Sequence, residues 1–124
     1  MTLVEAQQAG IAPWDNLIEE RPATMVYLDR YPVTPGHRLY VPKNADHALW
    51  TVRAMEDALC DGNWMVEQGL CDGFNIGLNS GEAAGQTVMY PHVHLIPRRK
   101  GDVEDPVGGV RNTIPGKGNY KKLK

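Results

Sequence analysis

Short runs of β-forming residues alternate, in the first half of the chain, with segments that contain proline and glycine. Two such runs, Thr24–Leu28 and His37–Val41, are joined by the segment 33–36, in which proline precedes glycine. A proline–glycine pair between two apolar runs is a turn signal, so these segments predict an antiparallel hairpin. A shorter run, Asn16–Glu19, stops before Arg21-Pro22 and predicts an edge strand.

The middle of the chain has the three- and four-residue spacing of an amphipathic helix. The apolar positions with this spacing are Leu49, Val52, Met55 and Leu59. They predict helical structure over residues 46–69, with Asp46 available as the N-cap. Gly62 weakens the middle of this region, so the pattern leaves open whether it forms one helix or two. It also leaves open whether the apolar stripe faces the core or a second copy of the chain.

A second pair of strands is expected after the helix. Phe74–Leu78 has strand composition, residues 79–85 have the composition of a loop, and the histidine-containing strand follows the Gly85-Gln86-Thr87 turn. Residues 1–13 predict irregular structure or a short helix. Two strands, a long helix and two further strands are typical of an α+β domain with an antiparallel sheet.

The segment Gly85–Arg98 carries the strongest chemical signal in the chain. Because alternate side chains of a strand share a face, Tyr90, His92 and His94 are expected on one side of it. Two imidazoles on one face can be a nucleophile with its orienting partner, or half of a metal site. A metal site needs further ligands. His37 and His47 are available for it, but no local spacing connects them to this strand.

Composition narrows the class of protein without identifying it. A chain of 124 residues suits one domain, and no run approaches the roughly 20 apolar residues that span a bilayer. With no secretory pattern at the N-terminus and only Cys60 and Cys71, we expect reduced thiols in a cytoplasmic protein. From Arg98 onward eight basic residues stand against three acidic ones. No aromatic ladder accompanies this charge, so nucleic acid is not an expected partner.

Ordered motifs cover most of the chain between residues 15 and 115. They are Leu28–Val33, Pro35-Gly36-His37, Val41-Pro42-Lys43, Gly73–Gly77, Gly85-Gln86-Thr87, His92-Val93-His94 and Ile96-Pro97-Arg98. Together they resemble the histidine triad superfamily, in particular its bacterial members similar to dinucleoside polyphosphate hydrolases. Segments 101–103 and 108–111 resemble the tail of one bacterial branch. The resemblance implies a single domain over residues 1–124, with its core at about 15–115 and a basic tail at 116–124.

The resemblance also implies the fold and the assembly. The expected fold is an antiparallel sheet of about five strands with one long helix and a possible short N-terminal helix. Family members commonly form homodimers, in which the long helix and an edge strand take part. No cofactor is expected to be required by the protein, although the substrate can carry a divalent cation.

Roles for individual residues follow from the same resemblance. The middle histidine of the family signature, His92 here, is the nucleophile that attacks the α-phosphate of a nucleotide. His94 is the third histidine and hydrogen-bonds to the phosphate, while His37 supports the site as a donor. The positions that bind nucleotide match Tyr27, Asp29, Asn79, Gly85, Gln86 and Thr87. Among these, the resemblance assigns Asp29 to the ribose hydroxyls and Tyr27 to the wall of the base pocket. Three further residues are candidates to reach a distal phosphate: Arg98, Arg99 and Arg111.

The chain departs from the family pattern at the first histidine of the signature, which is Tyr90 here. This position orients its neighbours, and a tyrosine hydroxyl replaces an imidazole only in part. A second departure is Ala45, where relatives often carry a histidine. We expect a hydrolase or nucleotidyl transferase that acts on nucleotide phosphoanhydrides or phosphoramidates through a nucleotidyl-His92 intermediate. The alternative is a nucleotide-binding regulatory protein with weak or no catalysis.

Overall fold

The computed structural model describes residues 1–123, which form one antiparallel sheet with a long helix against it. In chain order the elements are α1 (Leu3–Gln8), β1 (Leu17–Glu20), β2 (Thr24–Leu28), β3 (Arg38–Pro42), α2 (Ala48–Glu67), β4 (Gly73–Leu78) and β5 (Val93–Arg98). Three short 3-10 turns cover Glu82–Ala84, Gly109–Thr113 and Tyr120–Lys122. The α+β class, the long helix and the short N-terminal helix agree with the prediction. Lys124, the last residue of the predicted tail, lies outside the described residues.

The five strands are ordered β1-β2-β3-β5-β4, and every neighbouring pair is antiparallel. The predicted hairpin is β2–β3, which pairs from Thr24 opposite Pro42 to Leu28 opposite Arg38. Strand β5 lies between β3 and β4, so it has a hydrogen-bonded neighbour on both sides. The histidine-containing segment therefore leads into the interior of the sheet, where the backbone is held most firmly.

The predicted start of the histidine strand was wrong. The strand begins at Val93, which pairs with Tyr40 on one side and Leu78 on the other, rather than ahead of Tyr90. Pro91 has no backbone N–H to donate to a ladder, which is one physical reason for the late start. Only His94 of the two histidines is thus a strand residue, and His92 lies in the irregular segment just before the strand.

Helix α2 covers one face of the sheet and is continuous through Gly62. Its buried residues are small apart from one methionine: Ala54, Ala58, Gly62 and Met65. A Cβ atom at Gly62 would lie 2.6 Å from the ring of Phe74, so this glycine allows the helix to approach β4 closely. The N-cap is His47 rather than Asp46, because the His47 side chain accepts the Leu49 N–H.

The apolar stripe read from the helical spacing mostly faces away from this core. Leu49, Val52 and Leu59 are 67%, 54% and 47% exposed, and only Met55 packs against the core. Trp64 adds a further exposed apolar side chain to the helix. The hydrophobic period located the helix correctly, but the buried side is the one occupied by small residues.

Segments from both ends of the chain cover the opposite face of the sheet. Tyr27, Leu39 and Val41 of strands β2 and β3 pack there with Leu3 and Ala6 of α1. At the other edge of the sheet, the 3-10 turn Gly109–Thr113 contacts β4. Strand β5 runs between these two covers, which leaves the surface around the histidines open.

The described part of the chain contains no helix that is both long and apolar enough to cross a membrane. Cys60 is exposed and Cys71 is buried, and both are free thiols. The basic C-terminal region folds back on itself, since the Arg111 guanidinium donates to the carbonyls of Lys117 and Gly118.

Candidate active site

A hydrogen-bonded chain connects three backbone and side-chain groups across the sheet. The Val33 N–H lies 3.2 Å from Nδ1 of His37, and Nε2 of His37 lies 2.9 Å from Nδ1 of His94. A backbone N–H only donates, so Nδ1 of His37 accepts and the proton of its neutral ring is on Nε2. That proton is donated to His94 Nδ1, which leaves the His94 proton on Nε2. These two hydrogen bonds thereby assign a tautomer to both the His37 ring and the His94 ring.

The His37 and His94 rings are both neutral at physiological pH. Burial lowers the pKa of His37, and the nearby Asp29 carboxylate opposes this only in part. The pKa of His94 is lowered to about 4, first by burial and then by the neighbouring His92 and His37 rings. The 3.4 Å contact between Asp29 and His37 Nε2 is therefore between a carboxylate and a neutral imidazole, not an ion pair.

The second histidine of the segment, His92, is oriented by the protein backbone. Its Nδ1 lies 2.9 Å from the carbonyl oxygen of Tyr90. A carbonyl only accepts, so in the neutral ring Nδ1 carries the proton and Nε2 keeps its lone pair. The Trp14 ring packs against this imidazole with a centroid distance of 4.8 Å, and the His94 ring lies 5.3 Å away. His92 thus presents an unprotonated nitrogen beside the N–H of His94.

His92 and His94 line a cavity of about 460 Å³. Seven of the ten site residues expected from the sequence line it: Asp29, Asn79, Gly85, Gln86, Thr87, His92 and His94. The sequence did not indicate most of the remaining wall, which is formed by Pro13, Trp14, Asp15, Arg30, Tyr31, Leu39 and Val88. Trp14 was missed because it comes from an N-terminal segment that has no periodic pattern.

The loop between β4 and β5 forms one side of this cavity. The Gln86 side chain shapes the loop, because its amide nitrogen donates to the carbonyls of Val88 and Met89 and its oxygen accepts the Gly81 N–H. Gly85 has a φ of +87°, a left-handed conformation that favours glycine. The loop thereby places Thr87 at the cavity, and the contact of Gln86 with a phosphate stays a prediction.

The Asp29 carboxylate stabilises a turn and also has acceptor positions that are available to a ligand. Its Oδ1 accepts the Tyr31 N–H at 2.7 Å, which forms the turn after β2. Its Oδ2 lies on the side of His37, and the carboxylate borders the cavity. A carboxylate has several acceptor positions, so capacity remains for the hydroxyl groups of a ligand.

Tyr27, His37 and Tyr90 do not line this cavity in the described structure. The Tyr27 ring is buried under the N-terminal segment, and its hydroxyl accepts from Gln7; Leu28, at the end of β2, borders the cavity instead. Tyr90 is buried in the same cluster, and its hydroxyl donates to the Pro42 carbonyl at 2.7 Å. The Tyr90 side chain therefore stabilises the fold, while its main-chain carbonyl orients the His92 ring.

A metal alternative can be tested against the tautomers. Asp29, His37 and His94 each offer one ligand atom within 4.8 Å of the others, a grouping the sequence spacing did not reveal. However, the Val33 N–H keeps Nδ1 of His37 as an acceptor, so Nε2 carries a proton toward the centre of the group. Metal-bound histidines use a deprotonated nitrogen and donate the other N–H outward. The arrangement therefore fits a hydrogen-bonded chain better than a metal centre.

The fold and these contacts define an α+β domain in which two histidines, His92 and His94, line a cavity beside the sheet. Residues 14–101 match the family model described as HIT domain. The chain belongs to the HIT domain family, as its motifs predicted.

Relatives of the chain include two hydrolases. An adenylylsulfatase of Arabidopsis thaliana is 36% identical over 99 residues, which cover 75% of this chain and 50% of that protein. An asymmetrical bis(5′-nucleosyl)-tetraphosphatase of Schizosaccharomyces pombe is 35% identical over 64% of this chain and 47% of its own length. The chain thus spans about half the length of these two relatives. A zinc-bound histidine triad family protein from Mycobacterium smegmatis has a similar structure, with a TM-score of 0.65 and 35% identity over 80% of this chain and 76% of that one.

Proposed function

We propose that this protein hydrolyses a nucleotide phosphoanhydride or phosphoramidate through a nucleotidyl intermediate on His92. The observation that carries the proposal is the 2.9 Å contact between His92 Nδ1 and the Tyr90 carbonyl, which leaves a lone pair on Nε2 at the cavity. An imidazole with a free nitrogen is a competent nucleophile near neutral pH without a separate base. The hydrolase relatives support the same class of reaction.

The reaction proceeds in two displacements at one phosphorus atom. The His92 Nε2 lone pair forms a bond to the α-phosphorus, and the bond from phosphorus to the leaving group breaks. The leaving group departs with the bonding electron pair and, where it is an amine, takes up a proton from solvent. Water then attacks the same phosphorus, the phosphorus–nitrogen bond breaks, and the nucleoside monophosphate is released with His92 restored. Dividing one displacement into two lowers each barrier.

His94 stabilises the charge that develops on the phosphoryl oxygens. Its Nε2–H is available at the cavity because its Nδ1 is occupied by the His37 donor. His37 is a positioning residue, since it acts by holding the His94 ring in this tautomer. A prealigned donor at a developing negative charge is among the most effective contributions that a protein makes to catalysis.

The rest of the cavity wall suits the nucleoside. Asp29 supplies carboxylate oxygens for the ribose hydroxyls, and Leu28 and Trp14 supply apolar surface for the base. The regulatory alternative rested on the loss of a histidine at Tyr90. Because the Tyr90 side chain is buried away from the cavity, this substitution leaves the groups that face the ligand in place. This favours catalysis over binding alone.

The test is turnover by the wild type and by His92→Ala on dinucleoside polyphosphates and adenosine phosphoramidates, with and without a chelator. We expect the wild type to release nucleoside monophosphate and His92→Ala to lose turnover. We also expect that the chelator removes no metal that the protein itself needs for turnover. His47→Asn is a matched control, because it replaces a histidine outside the cavity and retains an N-cap side chain. Full activity in His92→Ala would disprove the nucleophile, and nucleotide binding without turnover in the wild type would favour the regulatory alternative.

We further propose that the protein is a homodimer that uses the outer side of α2. Leu49, Val52 and Trp64 are all more than half exposed there, which is a large apolar surface for one helix of a monomer. Sedimentation of the wild type beside Val52→Lys tests this. We expect a dimer that the lysine weakens, and a wild type that stays monomeric at tens of micromolar would contradict the proposal.

A further inference from the structure

Two hydrogen bonds connect the turn between β2 and β3, residues 33–36, to the C-terminal end of strand β5. The Thr34 hydroxyl donates to the Pro97 carbonyl at 2.8 Å. The Arg99 guanidinium donates to the Pro35 carbonyl at 3.0 Å. These contacts join residues 63 and 64 positions apart, so they depend on the pairing of the strands and not on local sequence.

Arg99 is one of the three arginines that the sequence offers for a distal phosphate, and all three bind protein groups instead. Arg98 donates to the side chains of Asn75 and Asp102, and Arg111 donates to carbonyls within the C-terminal tail. Arg99 donates to two main-chain carbonyls, one in the turn and one in the segment that follows α2. A guanidinium presents its donors in a rigid planar fork, so this arginine fixes the turn relative to that segment.

The turn contains the main-chain N–H that assigns the proton of His37. The Val33 N–H lies 3.2 Å from His37 Nδ1, and the His37 N–H donates to the Thr34 carbonyl. With Nδ1 occupied as an acceptor, the ring proton of His37 is on Nε2, where it is donated to His94. In the opposite tautomer, His37 Nε2 could only accept, and His94 would lose the N–H at the cavity. The place of the Val33 N–H therefore decides which nitrogen of His94 is protonated.

Packing of apolar side chains does little to hold this turn. The Tyr31 and Val33 side chains are 80% and 67% exposed, and Pro35 is exposed as well. Segments with few buried apolar contacts open more readily than the strands of a core. The hydrogen bonds of Thr34 and Arg99 therefore supply much of the restraint that keeps the turn against β5.

We propose that Thr34 and Arg99 are positioning residues, because they hold the turn whose main-chain amide sets the tautomers of the two hydrogen-bonded histidines. Neither side chain lines the cavity that contains His92, so they act through the Val33 N–H. This inference rests on the proposed function, which it deepens by naming what keeps the His94 N–H directed at the developing charge.

The size of the effect follows from the share of molecules in the productive tautomer. Removal of one prealigned donor lowers kcat by about one hundredfold or more. A loosened turn that leaves about a tenth of the molecules in the productive tautomer lowers kcat by about tenfold. KM is expected to change by less than about twofold, because the groups that bind the ground state stay in place.

The experiment compares Thr34→Val, which removes the hydroxyl and retains the shape, with Thr34→Ser, which retains the hydroxyl. Long-range proton–nitrogen NMR correlations of the histidine rings at neutral pH identify the protonated nitrogen. We expect a single tautomer at His37 and at His94 in the wild type and in Thr34→Ser, and a mixture in Thr34→Val. With an adenosine phosphoramidate as substrate, we expect kcat to fall about tenfold in Thr34→Val and to be retained in Thr34→Ser.

Thr24→Val is the matched control. Thr24 is buried in β2, and its hydroxyl has no hydrogen-bond partner within the described residues, so the same replacement removes no bond. Arg99→Met retains the aliphatic stem without the donors and is expected to reproduce Thr34→Val. Unchanged tautomers in both Thr34→Val and Arg99→Met would overturn the proposal, as would an equal loss of kcat in Thr24→Val or Thr34→Ser.

The NMR measurement separates this inference from the proposed hydrolysis, because it is made without substrate. Mixed tautomers in Thr34→Val and Arg99→Met, beside single tautomers in the wild type, support the hold of the turn on the histidines even if the wild type shows no turnover. Full turnover in variants with mixed tautomers would leave the hydrolysis standing and refute the positioning role.

Discussion

Acidification tests the buried neutral state of His94 directly. Its pKa is lowered from 6.5 to about 4 in the folded protein. The unfolded chain therefore binds more protons below the unfolded pKa, and the free energy of unfolding falls as pH falls. The contribution of His94 is fully present above about pH 6.5 and is lost progressively toward about pH 4. His37, whose pKa is also lowered by burial, acts in the same direction.

The magnitude follows from the two pKa values. Between about pH 7 and about pH 4.5, a group with pKa 6.5 unfolded and about 4 folded removes about 2 kcal/mol of stability. The measurement is urea unfolding of the wild type and of His94→Gln at several pH values in this range. Carboxylates titrate in both proteins, so their contribution cancels when the two free energies are subtracted.

We expect the stability of the wild type relative to His94→Gln to fall by about 2 kcal/mol over this range. The proposed tautomer chain requires this loss, because a protonated His94 would turn an N–H toward the N–H of His37. Parallel pH profiles for the two proteins would show that His94 is not held neutral by the fold. The role assigned to the His37–His94 pair would then be refuted.

Three further substitutions give separate readouts. Tyr90→Phe is expected to lower the free energy of unfolding in urea by about 1 kcal/mol, because the hydrogen bond of a buried hydroxyl is lost. Turnover is expected to be retained. A kcat/KM lower by more than about tenfold would contradict orientation of His92 by the main chain. Gly62→Ala places a methyl group 2.6 Å from the Phe74 ring and is expected to lower the free energy of unfolding by about 1–3 kcal/mol. Unchanged stability would show that α2 can move away from β4 to accommodate the methyl group. Trp14→Ala is expected to weaken binding of a nucleoside monophosphate by about threefold or more, and unchanged affinity would exclude this ring from the binding surface.

The sequence predicted those parts of the fold that depend on local pattern. The β2–β3 hairpin has its turn chemistry within four residues, and helix α2 has a clear helical period. The period could not tell which side of α2 is buried. Burial depends on how closely the backbone approaches the sheet, and the small side chains at Ala54, Ala58 and Gly62 allow that approach while longer ones do not.

The residues of the site could be predicted where they belong to a local motif. They could not be predicted where contacts between distant parts of the sequence bring them to the site. The His92-Val93-His94 motif and the Gly85-Gln86-Thr87 loop indicated much of the cavity wall. The contact of His37 with His94 joins residues 57 positions apart and depends on strand pairing. The contact of the Trp14 ring with His92 depends on how the N-terminal segment packs, and that segment has no sequence period.

The main-chain carbonyl at position 90 has a consequence for how such proteins are recognised. Every amino acid carries a carbonyl, so the group that sets the proton on His92 survives any change of side chain that preserves the turn. The side chain at position 90 is then available for packing, which is the use that the buried tyrosine has here. Counting histidines in the signature would discard this chain as a degenerate member, whereas the direction of one backbone carbonyl retains it.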